Sequence, residues 1–504
     1  MPDNFFPPLR DDNSDIALVE GDKRYSYGEV NRRINRIATG LLGTRGDLQE
    51  ERIAFFIPAS LDYVAVMHAV WRAGGIAVPL NVASAVGELE HYLSCAGAGR
   101  LVVDPKYQSD ELNALCDALN VELISVADII ADAAGSLPDI DPGRRSIMFF
   151  TSGTTSKPKG VVHTHRSISA QINCLLRAWA WTGEDVIPLF LPLHHVHGVI
   201  NILSCGLWAG ATVHLFTRFD APTITEQVAA NTYSVFMAVP TIYVKMIQYF
   251  DAIGSGQVRD NDQVKKICAG FAAMRLNISG SAACPVTLFN QWRDLTGQVL
   301  LERYGMTEIG MAISNPYDGE RRAGCVGQAL PGVEVQLFDE DDRPVSAAGV
   351  PGEIRIRGDN VFLEYWGNER ATRESFRDGW FCSGDMAVIE AGYYRIMGRS
   401  SIDIIKSGGY KLSALEIEGV LLTHEAIAEV AVIGVEDETW GEAVAAVVVL
   451  KPGAGLDYET LKTWCEGKMS SYKMPKRLQV VDALPRNAMG KVTKPALHQP
   501  PYNL

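Results

Sequence analysis

The chain has 504 residues, of which 47% are hydrophobic and 21% are charged, and its formal net charge is −14. This length predicts at least two domains, and the hydrophobic fraction is typical of a globular protein rather than a disordered one. The acidic balance argues against nonspecific binding of nucleic acid, which needs a basic surface, although a local pocket can still be positive.

The N-terminal residues and the cysteines indicate in which cellular compartment the protein is located. Residues 1–8 have neither the basic start nor the apolar core of a secretory signal. No uninterrupted apolar stretch is long enough to cross a bilayer. The nine cysteines are scattered without a Cys-x-x-Cys pair, which is typical of free thiols in a reducing compartment. We therefore expect a cytoplasmic protein that does not insert into membranes.

The first two-thirds of the chain alternate short apolar runs with amphipathic stretches. Residues 52–57 predict a buried strand, and residues 60–72 have helical spacing that ends before Gly74. Residues 76–79 and 100–104 predict two further strands. This alternation of strands and helices predicts an α/β fold with parallel sheets covered by helices.

A loop rich in glycine, hydroxyl and lysine residues follows the next apolar run, Ser146–Phe150. The loop comprises Thr151, Ser152, Gly153, Thr154, Thr155, Ser156, Lys157, Pro158, Lys159 and Gly160. Hydroxyls, exposed amides and lysines of this kind bind phosphate oxygens. The spacing is not that of the P-loop in nucleotide hydrolases, and the loop considered alone also fits a surface turn.

Later segments add an aromatic ring, carboxylates and a lysine. Glu302–Glu308 follows an apolar run, and Leu484–Lys491 places one lysine after a predicted turn. Beyond about residue 399 the pattern changes. Ser413 and Glu416 have the spacing of a capping box, and the apolar runs 427–435 and 444–450 predict a small mixed sheet.

Five ordered segments carry a family resemblance: 151–160, 302–308, 381–385, 398–403 and 484–491. Together they resemble the adenylate-forming acyl-CoA synthetases, a family that includes luciferases and peptide-synthetase adenylation domains. Segments 314–321, 330–333 and 405–418 are similar to its malonyl-CoA synthetase branch. The resemblance implies a large N-terminal domain (1–398) of stacked mixed and parallel sheets with covering helices, a hinge (399–403) and a small mobile α+β C-terminal domain (404–504).

The resemblance also implies the reaction. A carboxylate attacks the α-phosphate of ATP to give an acyl-adenylate and pyrophosphate, and the thiol of coenzyme A then displaces AMP. Lys491, on the small domain, would contact the carboxylate and the α-phosphate. The phosphate cradle would comprise Thr151, Ser152, Gly153, Thr154, Thr155 and Lys159, with Thr307 on a phosphate and Glu308 and Thr155 at Mg²⁺.

The adenosine and coenzyme A contacts follow from the same resemblance. Tyr304 would stack on adenine, Asp385 would accept from the ribose, and Arg399 would lie near the ribose and phosphate. The remaining nucleotide contacts would be Gly280, Ser281, Ala282, Glu302, Gly305 and Met306. Rotation about the hinge residue Asp403 would bring Gly408, Gly409, Tyr410 and Lys411 toward the coenzyme A thiol.

The acid is indicated by Arg303, because relatives that act on fatty or aromatic acids typically have a neutral residue there. A guanidinium could pair with a second, distal carboxylate, which predicts malonate or methylmalonate. His195 would be a catalytic residue and would form the wall of the acyl pocket. His197 would donate to the distal carboxylate, and Ser279 would form the floor of the pocket.

Three alternatives remain open at this point. Arg303 could pair with Glu302, which would leave a ligase for short or medium monocarboxylic acids. The chain could instead be an adenylation module that loads a carrier protein in trans, or a silent relative. The His-x-His spacing at 195–197 suits a metal, but no carboxylate or cysteine of matching spacing accompanies it, so a metal site is not expected there.

Overall fold

The structure is a computed structural model that describes residues 7–151, 158–254, 261–407, 410–437, 440–486, 492–499 and 502. The α-helices are α1 Tyr27–Leu42, α2 Leu61–Arg72, α3 Val86–Ala96, α4 Asp110–Leu119, α5 His165–Ala178, α6 Cys205–Ala209, α7 Ala221–Ala229, α8 Pro240–Gly254, α9 Asp262–Ala273, α10 Val286–Thr296, α11 Glu369–Glu374, α12 Ala414–Leu421 and α13 Tyr458–Cys465. Two 3₁₀ turns (Pro105–Tyr107 and Lys494–His498) and a π-helical segment (His197–Ser204) complete the helical elements of the described chain.

The strands are β1 Ile16–Glu20, β2 Lys23–Ser26, β3 Arg52–Phe56, β4 Ile76–Pro79, β5 Arg100–Val103, β6 Glu122–Ser125, β7 Arg145–Thr151, β8 Lys159–Thr164, β9 Val186–Leu189, β10 Thr212–Leu215, β11 Val235–Ala238, β12 Leu276–Ser279, β13 Leu301–Met306, β14 Gly310–Ser314, β15 Gln328–Ala329, β16 Glu334–Phe338, β17 Pro344–Val345, β18 Gly352–Arg357, β19 Glu364–Tyr365, β20 Phe376–Arg377, β21 Trp380–Glu390, β22 Tyr393–Arg399, β23 Ile404–Ser407, β24 Tyr410–Ser413, β25 Ile427–Asp437, β26 Gly441–Leu450 and β27 Arg477–Val480.

Over the described residues these strands form five sheets. Two are central to the N-terminal part: a sheet in the order β19-β8-β7-β4-β3-β5-β6 and a sheet in the order β11-β12-β13-β14-β15. The runs β6-β5-β3-β4-β7 and β11-β12-β13 are parallel, and the remaining pairs in both sheets are antiparallel. The predicted α/β fold with mixed and parallel sheets is therefore confirmed.

Local chemistry explains the predicted βαβ unit. The strand predicted over 52–57 is β3, and its last four residues are buried. Helix α2 begins after Ser60, whose side chain accepts from the Tyr63 backbone N–H at 3.2 Å and so satisfies an end group of the helix. Gly74 follows with φ +82°, a left-handed conformation that favours glycine.

The C-terminal part has its own packing. Strands β23 to β27 form one sheet, with α12 packed on β25, and the buried residues of this part form clusters separate from the main core. Ser413 caps α12 by accepting from the Glu416 N–H at 3.1 Å. The same serine hydroxyl donates to the Met397 carbonyl on β22, so the cap also joins the two parts of the chain. The boundaries 1–398 and 404–504 stay a prediction.

Candidate active site

The site is built around the end of β13 and the turn that follows it. Strand β13 carries Arg303 and Tyr304, and its pairing with β14 is irregular between Tyr304 and Gly305. A Cβ atom at Gly305 would lie 2.0 Å from the Gly310 carbonyl oxygen, so only glycine permits this close approach. The turn between β13 and β14 contains Thr307 and Glu308.

Three predicted nucleoside-binding side chains come together. The Tyr304 hydroxyl donates to Asp385 Oδ2 at 2.6 Å, and Arg399 Nε donates to Asp385 Oδ1 at 3.2 Å. Burial raises the pKa of Asp385, whereas the Arg399 charge and the tyrosine hydroxyl oppose that rise. An aromatic face, a carboxylate and a guanidinium therefore lie side by side, as the predicted binding of adenine and its attached ribose would require.

The Glu308 carboxylate lies beside the predicted phosphate site. The Tyr365 hydroxyl donates to its Oε1 at 2.9 Å, and Lys159 Nζ lies 4.9 Å from the centre of the Tyr365 ring. Burial raises the pKa of Glu308, and the charges of Arg399 and Lys159 oppose that rise. One buried carboxylate near a lysine fits a hard cation that also binds phosphates, because such a cation takes few protein ligands.

The backbone of the turn is fixed from several sides. His163 Nε2 donates to the Thr307 carbonyl at 2.7 Å, and the Phe362 N–H donates to the Glu308 carbonyl at 2.7 Å. The Asn360 amide donates to the Ile309 carbonyl at 2.6 Å. Burial lowers the pKa of His163 to about 4, so the ring is neutral near pH 7 and its Nε2 proton is available for this bond.

Arg303 is a buried cation, with only 3% of its surface exposed. Its Nη2 donates to Ser281 Oγ at 3.3 Å, while its Nε has no hydrogen-bond partner among the described residues. A Cβ at Gly280 would lie 2.5 Å from the guanidinium carbon, so glycine leaves the room that Arg303 occupies. Burial lowers the pKa of Arg303 to about 9.

The neighbouring Glu302 does not pair with Arg303. Side chains alternate along a strand, and Glu302 Oε1 accepts instead from the Gly324 N–H at 3.2 Å. Burial raises the pKa of Glu302 to about 8. No ion pair joins the two side chains in the part of the chain that the structure describes. The ion pair between Arg303 and Glu302, which was the alternative to an acid-binding role for Arg303, is therefore absent from the described residues.

His197 and Arg303 both contact the hydroxyl group of Ser281. It opens the π-helical segment, and its Nδ1 lies 3.1 Å from Ser281 Oγ. Because Ser281 accepts from Arg303, its hydroxyl proton is free to donate to Nδ1, which leaves the ring proton on Nε2. His197 Nε2 is buried without a partner among the residues described, and burial holds the pKa of His197 well below its usual range.

Two predicted pocket residues have other surroundings. Ser279 is paired in register with Glu302 and lies beside the Cys284 thiol, so it shares a face with Glu302 rather than with Arg303. Among the described residues, no hydrogen bond joins Ser279 to Arg303, so the pocket-floor role of Ser279 stays a prediction. The half-buried His195 ring lies 4.1 Å from the His194 ring. Within the described ranges no group of three or more His, Cys, Asp and Glu residues could hold a metal ion.

The remaining predicted residues lie partly within and partly outside the described ranges. Thr151 and Lys159 are register partners on the antiparallel strands β7 and β8. Tyr410 is exposed and stacks on Tyr472 with ring centres 4.7 Å apart. Ser281 has φ +67° and, like Ala282, is exposed; Met306 is half-buried. Outside the described residues lie Ser152, Gly153, Thr154, Thr155, Gly408, Gly409, Lys491 and the side chain of Lys411.

The predicted hinge residue, Asp403, belongs to a buried ion cluster. Its Oδ1 lies 2.6 Å from Lys494 Nζ, and the same ammonium lies 2.7 Å from Glu418 Oε1. Asp403 Oδ2 also accepts from the Arg399 N–H at 3.0 Å. The two carboxylates raise the pKa of Lys494 against the effect of burial. Lys494 was not predicted from the sequence, although it stands only three residues after Lys491.

The side chains predicted to bind the acid, the nucleoside and Mg²⁺ that the structure describes lie around the end of β13, as expected of an adenylate-forming enzyme. The chain belongs to the AMP-binding enzyme family: the family model matches residues 9–366, and the model of the AMP-binding enzyme C-terminal domain matches residues 416–491. The family resemblance found in the sequence is therefore confirmed. Within the described residues, no helix combines the length and the apolar character that a bilayer crossing needs.

The similar proteins within this family include several CoA ligases. The chain is 42% identical to the mitochondrial malonate–CoA ligase ACSF3 of Mus musculus, over 96% of this chain and 88% of that protein. It is similar to ATP-bound MatB from Rhodopseudomonas palustris, with a TM-score of 0.89, 32% identity and full coverage of both chains. It is also similar to o-succinylbenzoate CoA synthetase MenE from Bacillus subtilis in complex with its acyl-adenylate, with a TM-score of 0.82, 26% identity and 96% coverage of each chain.

Proposed function

We propose that this protein is an AMP-forming acyl-CoA ligase that joins malonate to coenzyme A, using ATP and Mg²⁺ and passing through malonyl-adenylate. The observation that carries the choice of acid is the pair of buried donors, Arg303 Nε and His197 Nε2, that have no acceptor among the described residues. Buried donors are almost always satisfied, so this pair supports an anionic ligand group beside Ser281.

A second carboxylate satisfies both donors at once. Malonate activated at one end would present its distal carboxylate to the guanidinium, which binds carboxylates through two N–H groups. A monocarboxylic acid would leave Arg303 desolvated and unpaired, which costs about 3–5 kcal/mol when one partner of a buried pair is missing. The pocket therefore selects for the diacid. Discrimination between malonate and methylmalonate depends on one methyl group, worth ~1–3 kcal/mol.

The nucleotide would occupy the adjoining surface. Tyr304 would stack on adenine and Asp385 would accept from the ribose hydroxyls, with Arg399 next to both. The hydrogen bonds that already join these three side chains would keep them in position before ATP arrives. Preorganised groups of this kind lower the reorganisation needed for binding.

Negative charge accumulates during attack on the α-phosphate, so the first half-reaction needs positioned cations and donors. Glu308, with Thr155, would hold Mg²⁺, which when bound neutralises phosphate charge. Lys159 and the 151–155 segment would contact the outer phosphates, and Thr307 would donate to a phosphate. Lys491 would contact the reacting carboxylate and the α-phosphate, and each donor of this kind is typically worth ~3–4 kcal/mol in a transition state.

In the second half-reaction the thiol of coenzyme A displaces AMP. Rotation of the small domain about the segment at Asp403 would withdraw Lys491 and bring the 408–411 segment, with Tyr410, to the thiol. His195 would then form the acyl-pocket wall next to the reacting carbon. The partners of the chain are accordingly malonate, ATP and coenzyme A.

The test is AMP release that depends on both ATP and coenzyme A, measured with malonate, methylmalonate, succinate, acetate, butyrate and octanoate. We expect a strong preference for the short diacids, because only they pair with Arg303. Preference for butyrate or octanoate would keep the class of enzyme but would give Arg303 a structural role. The cytoplasmic location expected from the sequence stays a prediction, and the mouse relative is by its name mitochondrial.

A further inference from the structure

Tyr365 joins two groups that the proposed function assigns to ATP. It lies on β19, 57 residues after Glu308, and it is buried with 8% of its surface exposed. Its hydroxyl donates to Glu308 Oε1 at 2.9 Å, and its ring carries the Lys159 ammonium 4.9 Å from the ring centre. A single side chain thus contacts both the carboxylate predicted to hold Mg²⁺ and a lysine predicted to bind phosphate.

The tyrosine ring is itself held in place. Strand β19 pairs with β8 through Tyr365 and Val161, and the Tyr365 N–H bonds to Thr372 Oγ1 at 3.0 Å. The ring packs edge-on against Phe362, with ring centres 4.8 Å apart. The hydroxyl therefore approaches Glu308 from one direction only.

A fixed donor on one carboxylate oxygen sets the rotation of the whole carboxylate. The backbone of Glu308 is already fixed, because Phe362 and His163 donate to the carbonyls of Glu308 and Thr307. The remaining freedom is the side-chain rotation, and the Tyr365 hydroxyl removes it. The second carboxylate oxygen, Oε2, then keeps a constant direction.

We propose that Tyr365 is a positioning residue for the metal–nucleotide complex: its hydroxyl orients the Glu308 carboxylate, and its ring face holds Lys159 at the phosphates. This inference rests on the proposed function, because it takes Glu308 as the Mg²⁺ ligand. Partners that orient metal ligands typically change metal affinity 10- to 100-fold when they are replaced.

The test compares Tyr365→Phe with Tyr394→Phe. Tyr394 is a matched control, because it is equally buried, at 8% exposure, and its hydroxyl donates to the Val335 carbonyl away from the site. The dissociation constant of ATP is measured by calorimetry in excess Mg²⁺ and in EDTA. The Mg²⁺ concentration that half-activates malonate-dependent pyrophosphate exchange is measured in parallel, together with the thermal unfolding midpoint of each variant.

We expect Tyr365→Phe to raise the half-activating Mg²⁺ concentration by ~10-fold or more. It should weaken ATP binding in Mg²⁺ but not in EDTA, and saturating Mg²⁺ should restore most of kcat. Tyr365→Leu, which also removes the ring, should weaken ATP binding in EDTA as well, because Lys159 loses its support. Tyr394→Phe should match the wild type in ATP affinity and in Mg²⁺ dependence, and should only lower the unfolding midpoint slightly, because it also loses a buried hydrogen bond.

A double variant tests whether Tyr365 acts through Glu308. In a Glu308→Gln background, the further change Tyr365→Phe should not alter the Mg²⁺ dependence of ATP binding. An equal loss of ATP binding with and without Mg²⁺, or a Mg²⁺ dependence unchanged in folded Tyr365→Phe, would overturn the inference alone. A wild type that binds ATP independently of Mg²⁺ and releases no AMP with malonate would overturn the proposed function as well.

Discussion

Replacing Arg303 with methionine removes a buried cation while keeping a long unbranched side chain over Gly280. The proposed malonate carboxylate would then lie in a site without its charged partner. Removing one member of a buried ion pair costs about 3–5 kcal/mol. At 1.4 kcal/mol for each factor of ten, we expect kcat/KM for malonate to fall at least ~10²-fold.

The same substitution should act in the opposite direction on stability. In the free protein, Arg303 is 3% exposed, and its Nε has no acceptor among the described residues. Burial lowers the pKa of Arg303 to about 9, because the apolar surroundings disfavour the cation. Methionine removes that desolvation penalty, so we expect a higher unfolding midpoint together with the loss of malonate activity.

The assay is AMP release with malonate and with butyrate, combined with thermal unfolding of each variant. Arg321→Met is the control, because Arg321 donates to the carbonyls of Pro316, Val299 and Tyr317 and has no predicted contact with the acid. It should lower stability and leave the malonate-to-butyrate ratio unchanged. A ratio that is also unchanged in Arg303→Met would refute the assignment of Arg303 to the acid pocket.

Three further outcomes are expected. Burial lowers the pKa of His68 to about 3, so below pH 6.5 only the unfolded chain takes up a proton at this histidine, and the free energy of unfolding falls. In urea titrations from pH 7 to 5, His68→Leu should lessen that fall by up to ~1.4 kcal/mol per pH unit. An identical pH dependence in the wild type and the variant would contradict this. Lys494→Met should destabilise the protein by ~3–5 kcal/mol in the same titrations, and less at pH 5.5 than at pH 8, because burial raises the pKa of Glu418, which without the ammonium can take up a proton instead of staying charged; a pH-independent loss would speak against this. Lys491→Ala should abolish malonyl-adenylate formation yet retain thioester formation from supplied malonyl-adenylate, and equal loss of both steps would contradict the assigned role.

Hydrophobic patterning was sufficient to predict the α/β architecture. The strand at 52–57, the helix after Ser60 and the small sheet beyond residue 404 all follow from runs of buried residues with regular spacing, because local periodicity reflects which face is buried. Alternation along β13 could also have predicted that Glu302 and Arg303 face apart. That inference required treating residues 301–306 as a strand, which their polar composition does not suggest.

Contacts between segments that are distant along the chain could not be predicted from the sequence. Ser281 joins Arg303 to His197, which is 84 residues away from the serine, and each of the three residues had been considered separately. Tyr365 and His163 were not identified, because a single aromatic residue or histidine in an apolar segment usually belongs to the core. Their function depends on a turn formed 57 and 144 residues further away along the chain.

The ammonium of Lys494 has a mechanical consequence. It binds Asp403, where the chain leaves the large part, and Glu418 on α12, and it lies only three residues after Lys491. These two ion pairs tie Asp403 to α12, so we expect Asp403 to move together with α12 as long as the ion cluster persists. Torsion during the proposed rotation would then fall on the residues just before Asp403, at 399–402, and the hydrogen bond from the Arg399 N–H to Asp403 would have to break. The ion cluster would thereby pass a turn at this junction directly to α12.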